Sequence, residues 1–164
     1  MHIYSVILLP ILTLLSLNTP PQEVSVFETN FIQEQQVVLE SEINTYSEDD
    51  LYNLAVAVYR EAGNQDEEIQ MLVANVVINR VNSDLYPDTI YDVLTQHKQY
   101  GTMWKNGIFF PDNANEEAVN GCYEIARRIL EGERVCPENV LFQAEFIQGS
   151  GIYKEYDGYY FCFY

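Results

Sequence analysis

Between residues 47 and 81 two helix-periodic apolar stretches follow one another almost without a break. In the first, Leu51, Leu54, Ala55, Val58 and Ala62 recur at helical spacing. Ser47 precedes them as an N-cap, and Glu48, Asp49 and Asp50 fill a first turn where acids suit the helix dipole. Gly63 fits a left-handed C-terminal cap. Asn64 can cap the second stretch, with Asp66, Glu67 and Glu68 in its first turn. Ile69, Leu72, Val73, Val76 and Val77 then form a wide apolar stripe that runs to Arg80 or Val81, and a stripe of that width has to be buried.

Downstream, Pro87 opens a shorter helix carrying Ile90, Val93 and Leu94. Residues 96 to 112, rich in Gly, Asn and aromatics, read as a long loop. A fourth helix starts near Asn115, carries Val119, Cys122, Ile125, Ala126, Ile129 and Leu130, and ends at Gly132. The pattern then turns β-prone from Val140 to Ile147. Gly149-Ser150-Gly151 and Asp157-Gly158 are turn signals, and Tyr159 to Tyr164 is aromatic or Cys throughout. The expected class is α+β: a mainly helical core with a small antiparallel sheet of two or three strands at the C-terminus.

The 164 residues leave room for one domain, assigned to residues 47–164. Residues 1–20 read as a signal peptide or anchor, because Ile3 to Leu17 is mostly Ile, Leu and Val, too short for an ordinary membrane span. Residues 21–46 read as an acidic polar linker, with a short element conceivable from Gln35 to Ile43. Export to the outside or the cell surface is the expectation, and any membrane association runs through that N-terminal anchor. Asp and Glu number 25 against 8 Lys and Arg, a net charge of -17, which repels phosphate backbones and argues against a nucleic-acid partner. Two His and three Cys are too few and too scattered for a zinc site, so neither metal nor cofactor is expected. One disulfide could form among Cys122, Cys136 and Cys162 in an exported chain, although Cys122 falls at a helix core position.

Glu61 is the most informative polar residue. It lies seven after Leu54 and three after Val58, on the apolar face, in the last helical turn where the dipole disfavours a carboxylate. Apolar surroundings and a helix C-terminus both raise a carboxyl pKa, which suits a general acid. On periodicity alone the commoner outcome is plainer: Glu61 turns to solvent or pairs with Arg60 or Arg80. Arg80 reads as a helix-end residue bonding the last carbonyls, and Asn79 as an inward amide that orients a carboxyl group or ties two segments together. In the loop, Gln96, His97, Gln99, Tyr100, Trp104, Phe109 and Phe110 put aromatic faces beside amides, as a sugar site does, or simply cover the core. Gln143 and Glu145 alternate with Phe142, Ala144 and Phe146; if the Phe face is core, the Gln143 face is solvent or cleft, and Glu145 is a second carboxylate to consider.

At Leu54-Ala-Val-Ala-Val-Tyr-Arg-Glu61-Ala-Gly63 the chain resembles the cell-wall hydrolase family that includes the spore-cortex-lytic enzymes. The likeness continues through Ile69-Gln-Met-Leu-Val-Ala-Asn-Val-Val-Ile-Asn-Arg80-Val81, Tyr86-Pro87-Asp-Thr-Ile90 and Gln99-Tyr100, then less tightly through Ala118 to Gly132 and Val140-Leu-Phe-Gln143. The resemblance implies a lysozyme-like or lytic-transglycosylase-like core that cleaves peptidoglycan glycan strands between N-acetylmuramic acid and N-acetylglucosamine. It puts the essential acid on Glu61 and matches Gln99 and Tyr100 to a glutamine-aromatic pair near the cleft. Together with the loop and strand patterns above, the expected substrate contacts are Gln99, Tyr100, Trp104 and Gln143, with Asn79 and Arg80 structural beside the site. The chain departs from the family where a His is common near the last strand, having Tyr159, Tyr160 and Phe161 instead, and after Gln143, where Tyr-Asn-Pro is usual.

One carboxyl suffices for a lytic transglycosylase, whereas a hydrolytic muramidase needs a second, for which Glu145 and Asp112 are the candidates. With no strong second carboxylate, the transglycosylase reading leads. The alternative from another class is a non-catalytic wall-binding or accessory module on the same fold.

Overall fold

The computed structural model describes residues 46–156 and 158–164. The expected signal segment, the linker and the element around Gln35 to Ile43 lie outside the described residues, save Tyr46. The described residues form five helices and three strands: α1 (Glu48–Ala62), α2 (Glu67–Val81), α3 (Ile90–Leu94), α4 (Met103–Asn106), α5 (Glu116–Leu130), β1 (Val140–Ala144), β2 (Gly151–Tyr156) and β3 (Tyr159–Phe163). The α+β class with a C-terminal antiparallel sheet is what the sequence predicts. Strand order is β1-β3-β2, with β3 antiparallel to both neighbours.

α1 starts as its sequence dictates. The Ser47 hydroxyl accepts from the Asp50 backbone N–H at 3.0 Å and Asp50 Oδ2 accepts from the Ser47 N–H at 3.2 Å, a reciprocal capping box. Its end differs from expectation. Gly63 is right-handed, with φ -62° and ψ -17°. Glycine is needed there for space instead, since a Cβ would sit 2.4 Å from the Tyr59 carbonyl oxygen. The Gln70 side chain closes the turn by donating to the carbonyls of Ala62 and Gln65, both at 3.2 Å. The α2 N-cap is Asp66 rather than Asn64, and its carboxylate makes no cap bond because Oδ2 accepts from the Tyr156 hydroxyl at 2.7 Å. Thr89, not Pro87, caps α3, its hydroxyl accepting from the Asp92 N–H at 3.1 Å. The long loop contains the single turn of α4.

α2 is the central element. Met71, Ala74, Val77 and Ile78 pack into a core shared with α1, α3 and α5. On its other side Ile69, Leu72, Val73 and Val76 meet Ala62, Cys136, Val140 and Phe161 beneath the sheet. A helix sandwiched on two sides must be apolar nearly all round, which is why its stripe is so wide. Each of the Val, Leu, Ile, Met and Phe side chains among them contributes about 1.5–3 kcal/mol by burial.

The sheet corrects two expectations. Phe142, Ala144 and Phe146 do not form a core face. A register shift between Val140 and Phe142 buries the consecutive residues Val140 and Leu141, and Phe146, past the strand end, is 65% exposed. All three cysteines are free thiols, each buried at a separate place, so no disulfide staples the domain. Cys122 is the small apolar core residue its position predicts.

Candidate active site

Glu61 occupies the last turn of α1, half-buried, in the wall of a cavity of about 420 Å³. Gln65 and Ile69 continue the wall from the α1–α2 turn, Glu145 enters from just past β1, and Tyr156, Gly158 and Tyr159 close it from the β2–β3 hairpin. The hairpin is pinned to the start of α2 at two points. One is the Tyr156–Asp66 hydrogen bond, the other a Lys154–Glu68 ion pair. The cleft is thus the seam between a helix end and a hairpin tip.

No ion pair holds Glu61 among the described residues. Burial lifts its carboxyl pKa above the usual range, and the charges of Arg60 and then Arg80 pull partly back. Arg60 is committed elsewhere. Its guanidinium reaches the Phe109 carbonyl and the Thr102 hydroxyl, both at 3.4 Å, and lies 5.4 Å from the Phe109 ring centre. Gly101 brings the loop backbone against the acid, for a Cβ there would stand 3.8 Å from Glu61 Oε1.

Arg80 does not cap its own helix. It is buried, donates from Nε to the Leu141 carbonyl at 2.7 Å and from a terminal nitrogen to Gln99 Oε1 at 3.3 Å. The rings of Tyr86 and Tyr100 flank it at 5.0 and 5.1 Å. A guanidinium suits such a slot because it is planar and weakly hydrated. Tyr100 is wholly buried and faces this guanidinium rather than the cleft opening. Burial pushes its phenol up to about 12 against the opposing charge of Arg80. Gln99, on the exposed side, is the polar end of the same arrangement. Lys98 at φ +65° and Gly101 at φ +49° supply the bends that turn Gln99 and Tyr100 this way.

Asn79 takes the tying role. Its Nδ2 donates to the carbonyls of Pro137 at 2.8 Å and Val140 at 3.0 Å, while Oδ1 accepts from Asn75 Nδ2 at 2.9 Å. Asn75 Oδ1 accepts in turn from the Val135 N–H at 2.7 Å. Sequence reasoning missed Asn75, although two amides one turn apart inside an apolar helix are a usable signal of a buried polar pair.

Trp104 and Gln143 do not line the Glu61 cavity. Trp104, 40% exposed, meets the His97 ring edge-on at 4.5 Å, and Gln143 holds a buried side-chain oxygen without a partner among the described residues. Asp112 is exposed and also stays out of the cavity lining, whereas Glu145 joins it. Tyr159, which the sequence marked only as a departure, is a cleft residue.

The sequence profile of the family described as Cell Wall Hydrolase matches residues 64–156. The chain belongs to the cell wall hydrolase family. The family match covers α2 to the β2–β3 hairpin, and Glu61 stands three residues before it. The chain is similar to the spore cortex-lytic enzyme of Oceanobacillus iheyensis, 37% identical over 81 residues, which is 46% of this chain and 29% of that relative. It is 33% identical over 75 residues to the spore cortex-lytic enzyme of Bacillus subtilis, covering 45% of this chain and 25% of the relative. Both cell-wall relatives are thus spanned over less than a third of their length. No solved structure matches the chain significantly. Among the described residues of this family member, no helix is long and apolar enough to cross a membrane and no group of three or more His, Cys, Asp or Glu could hold a metal ion.

Proposed function

We propose that this chain cleaves the glycan strand of peptidoglycan between N-acetylmuramic acid and N-acetylglucosamine, as a lytic transglycosylase on a lysozyme-like core, outside the cell or at its surface. Glu61 is the acid and then the base. The observation that carries the reading is a half-buried carboxyl with no ion-pair partner among the described residues, standing in the wall of an open cavity with its pKa raised by burial. A carboxyl whose pKa is raised keeps its proton to higher pH than an ordinary glutamate and can hand it to a glycosidic oxygen. The C1–O bond breaks with its electron pair going to that oxygen, and an oxocarbenium-like centre develops. The muramyl 6-hydroxyl oxygen then bonds to C1, and its proton passes to the Glu61 carboxylate, which restores the acid. No water is consumed, so the product carries a 1,6-anhydro ring.

Gln99 remains the proposed polar contact at the cleft, with Trp104 and Gln143 engaging sugars further along the strand. Tyr100 supports Arg80, and Asn79 and Arg80 hold the frame. The acidic domain meets an anionic wall, so screening by salt or cations favours the encounter.

A second reading has one specific observation behind it: Glu145 lines the same cavity as Glu61. A carboxylate there could activate water and make the chain a hydrolytic muramidase. Mass spectrometry of digested wall separates the two. Anhydro ends one water lighter, retained in Glu145→Gln, support the transglycosylase; reducing muramic acid ends, lost in Glu145→Gln, support the hydrolase. Purified wall left intact by the parent protein, alongside retained binding, would favour the accessory-module alternative.

A further inference from the structure

Tyr159 opens β3, and its side chain reaches the cavity that holds Glu61 and Glu145. Its ring packs edge-on against Phe161 at 5.7 Å, and Phe161 is wholly buried, so the phenol stands on a fixed base. Tyr159 also pairs with Tyr156 across the hairpin, where Gly158 at φ +81° makes the turn. The two phenols of the cavity have different employment. Tyr156 donates to Asp66 and so anchors the hairpin, whereas no hydrogen bond among the described residues holds the Tyr159 hydroxyl.

An ionised carboxylate can only accept hydrogen bonds, and the cavity presents two carboxyl groups. A sugar brings ring, acetal and carbonyl oxygens that need donors. Burial above all, and then the charge of Glu61 with smaller contributions from Tyr100 and Glu145, raises the pKa of the Tyr159 phenol above its ordinary value, so it stays protonated throughout the pH range of a carboxyl-driven reaction. It is therefore a permanent donor set beside Glu61, the carboxyl that gains and loses a proton in the proposed reaction.

We infer that the Tyr159 hydroxyl donates a hydrogen bond to an oxygen of the glycan bound in the Glu61 cleft, and is a substrate-contacting residue of this chain. The inference rests on the proposed glycan-cleaving role of Glu61. No bond to Tyr159 is made or broken, and its proton remains on the phenol while Glu61 cycles.

The test compares the full-length parent with Tyr159→Phe, Tyr159→His and Glu61→Gln on purified peptidoglycan sacculi, following glycan fragments released, with urea midpoints measured for each. Tyr159→Phe removes one oxygen and leaves the ring packed on Phe161. It should lose about 5–10-fold in fragment release, the value of one hydrogen bond, with an unchanged urea midpoint. Tyr159→His, which restores an N–H donor, should recover most of that loss. If Tyr159→Phe works like the parent while Glu61→Gln is inactive, the inference fails and the glycan-cleaving reading stands. A loss that tracks an equal fall in stability, or that Tyr159→His shows in full, overturns it as well. If the parent releases nothing, both readings fall together.

Discussion

Arg80 Nε donates to the carbonyl oxygen of Leu141 at 2.7 Å, across 61 residues of sequence. This bond fastens the end of α2 to β1, and the residues that face Glu61 across the cleft follow from β1 and its partners. The bond and the flanking rings of Tyr86 and Tyr100 satisfy a buried charge that no carboxylate neutralises by an ion pair among the described residues. Arg80→Lys keeps the charge but loses the planar fork, so Lys should not substitute. The expected result is a lowered urea midpoint and reduced wall digestion in both Arg80→Lys and Arg80→Met.

Glu61→Gln keeps the shape and removes the transferable proton. Activity on wall should fall by roughly 100-fold or more with the fold intact. The folded-state pKa of Glu61 is raised, so the native protein binds a proton more readily than the unfolded chain. Stability from this group is therefore full below the ordinary glutamate range and is lost as pH rises through the folded-state value. Glu61→Gln removes that loss. Its thermal midpoint should exceed the parent's at pH 7, and the gain should vanish in acid. A variant less stable than the parent at pH 7 would sink this account of the burial.

The pH profile of cleavage follows from the same carboxyl. In the proposed mechanism Glu61 must be protonated to act as the acid, so the alkaline limb should lie above the ordinary carboxylate range. Arg60 is the larger of the two charges that lower this pKa. Arg60→Met should shift the alkaline limb upward, and a downward shift would refute the electrostatic assignment.

Asn79→Ala should destabilise the domain by about 2–4 kcal/mol, because the carbonyls of Pro137 and Val140 lose their donor in a buried place. Asn75→Ala should cost a similar amount, and the double variant less than the two together, since the amides share one network. Urea unfolding of the four proteins measures the coupling.

Thiol titration without reductant should find three free thiols per chain after denaturation and almost none reactive in the native state. All three cysteines are buried, and burial pushes the Cys122 and Cys136 thiols up to about 11. A titre of one would reveal a disulfide and contradict the packing.

Local chemistry by itself determined the three long helices. Ser47 beside Asp50, the apolar periods of α1, α2 and α5, and Asn115 as a cap act within a turn or two, so their consequences are written in neighbouring residues. The strands and their turns were legible for the same reason, and Glu61 stood out because its phase on α1 is local. Across from Glu61, the sequence offered Glu145 as a possible second carboxylate but could not decide between cleft and solvent for it, and it marked Tyr159 only as a departure. Glu145 and Tyr159 come to the cleft through a register shift in β1 and a hairpin docked by Tyr156 and Asp66, and those depend on contacts tens of residues apart. Tyr100 shows the same limit from the other side: its aromatic ring beside an amide suggested a sugar platform, but the buried Arg80 claims that ring. Side-chain type and spacing decide which faces must be buried, while only the packed tertiary structure decides which partner buries each face and which polar group is left to meet a ligand.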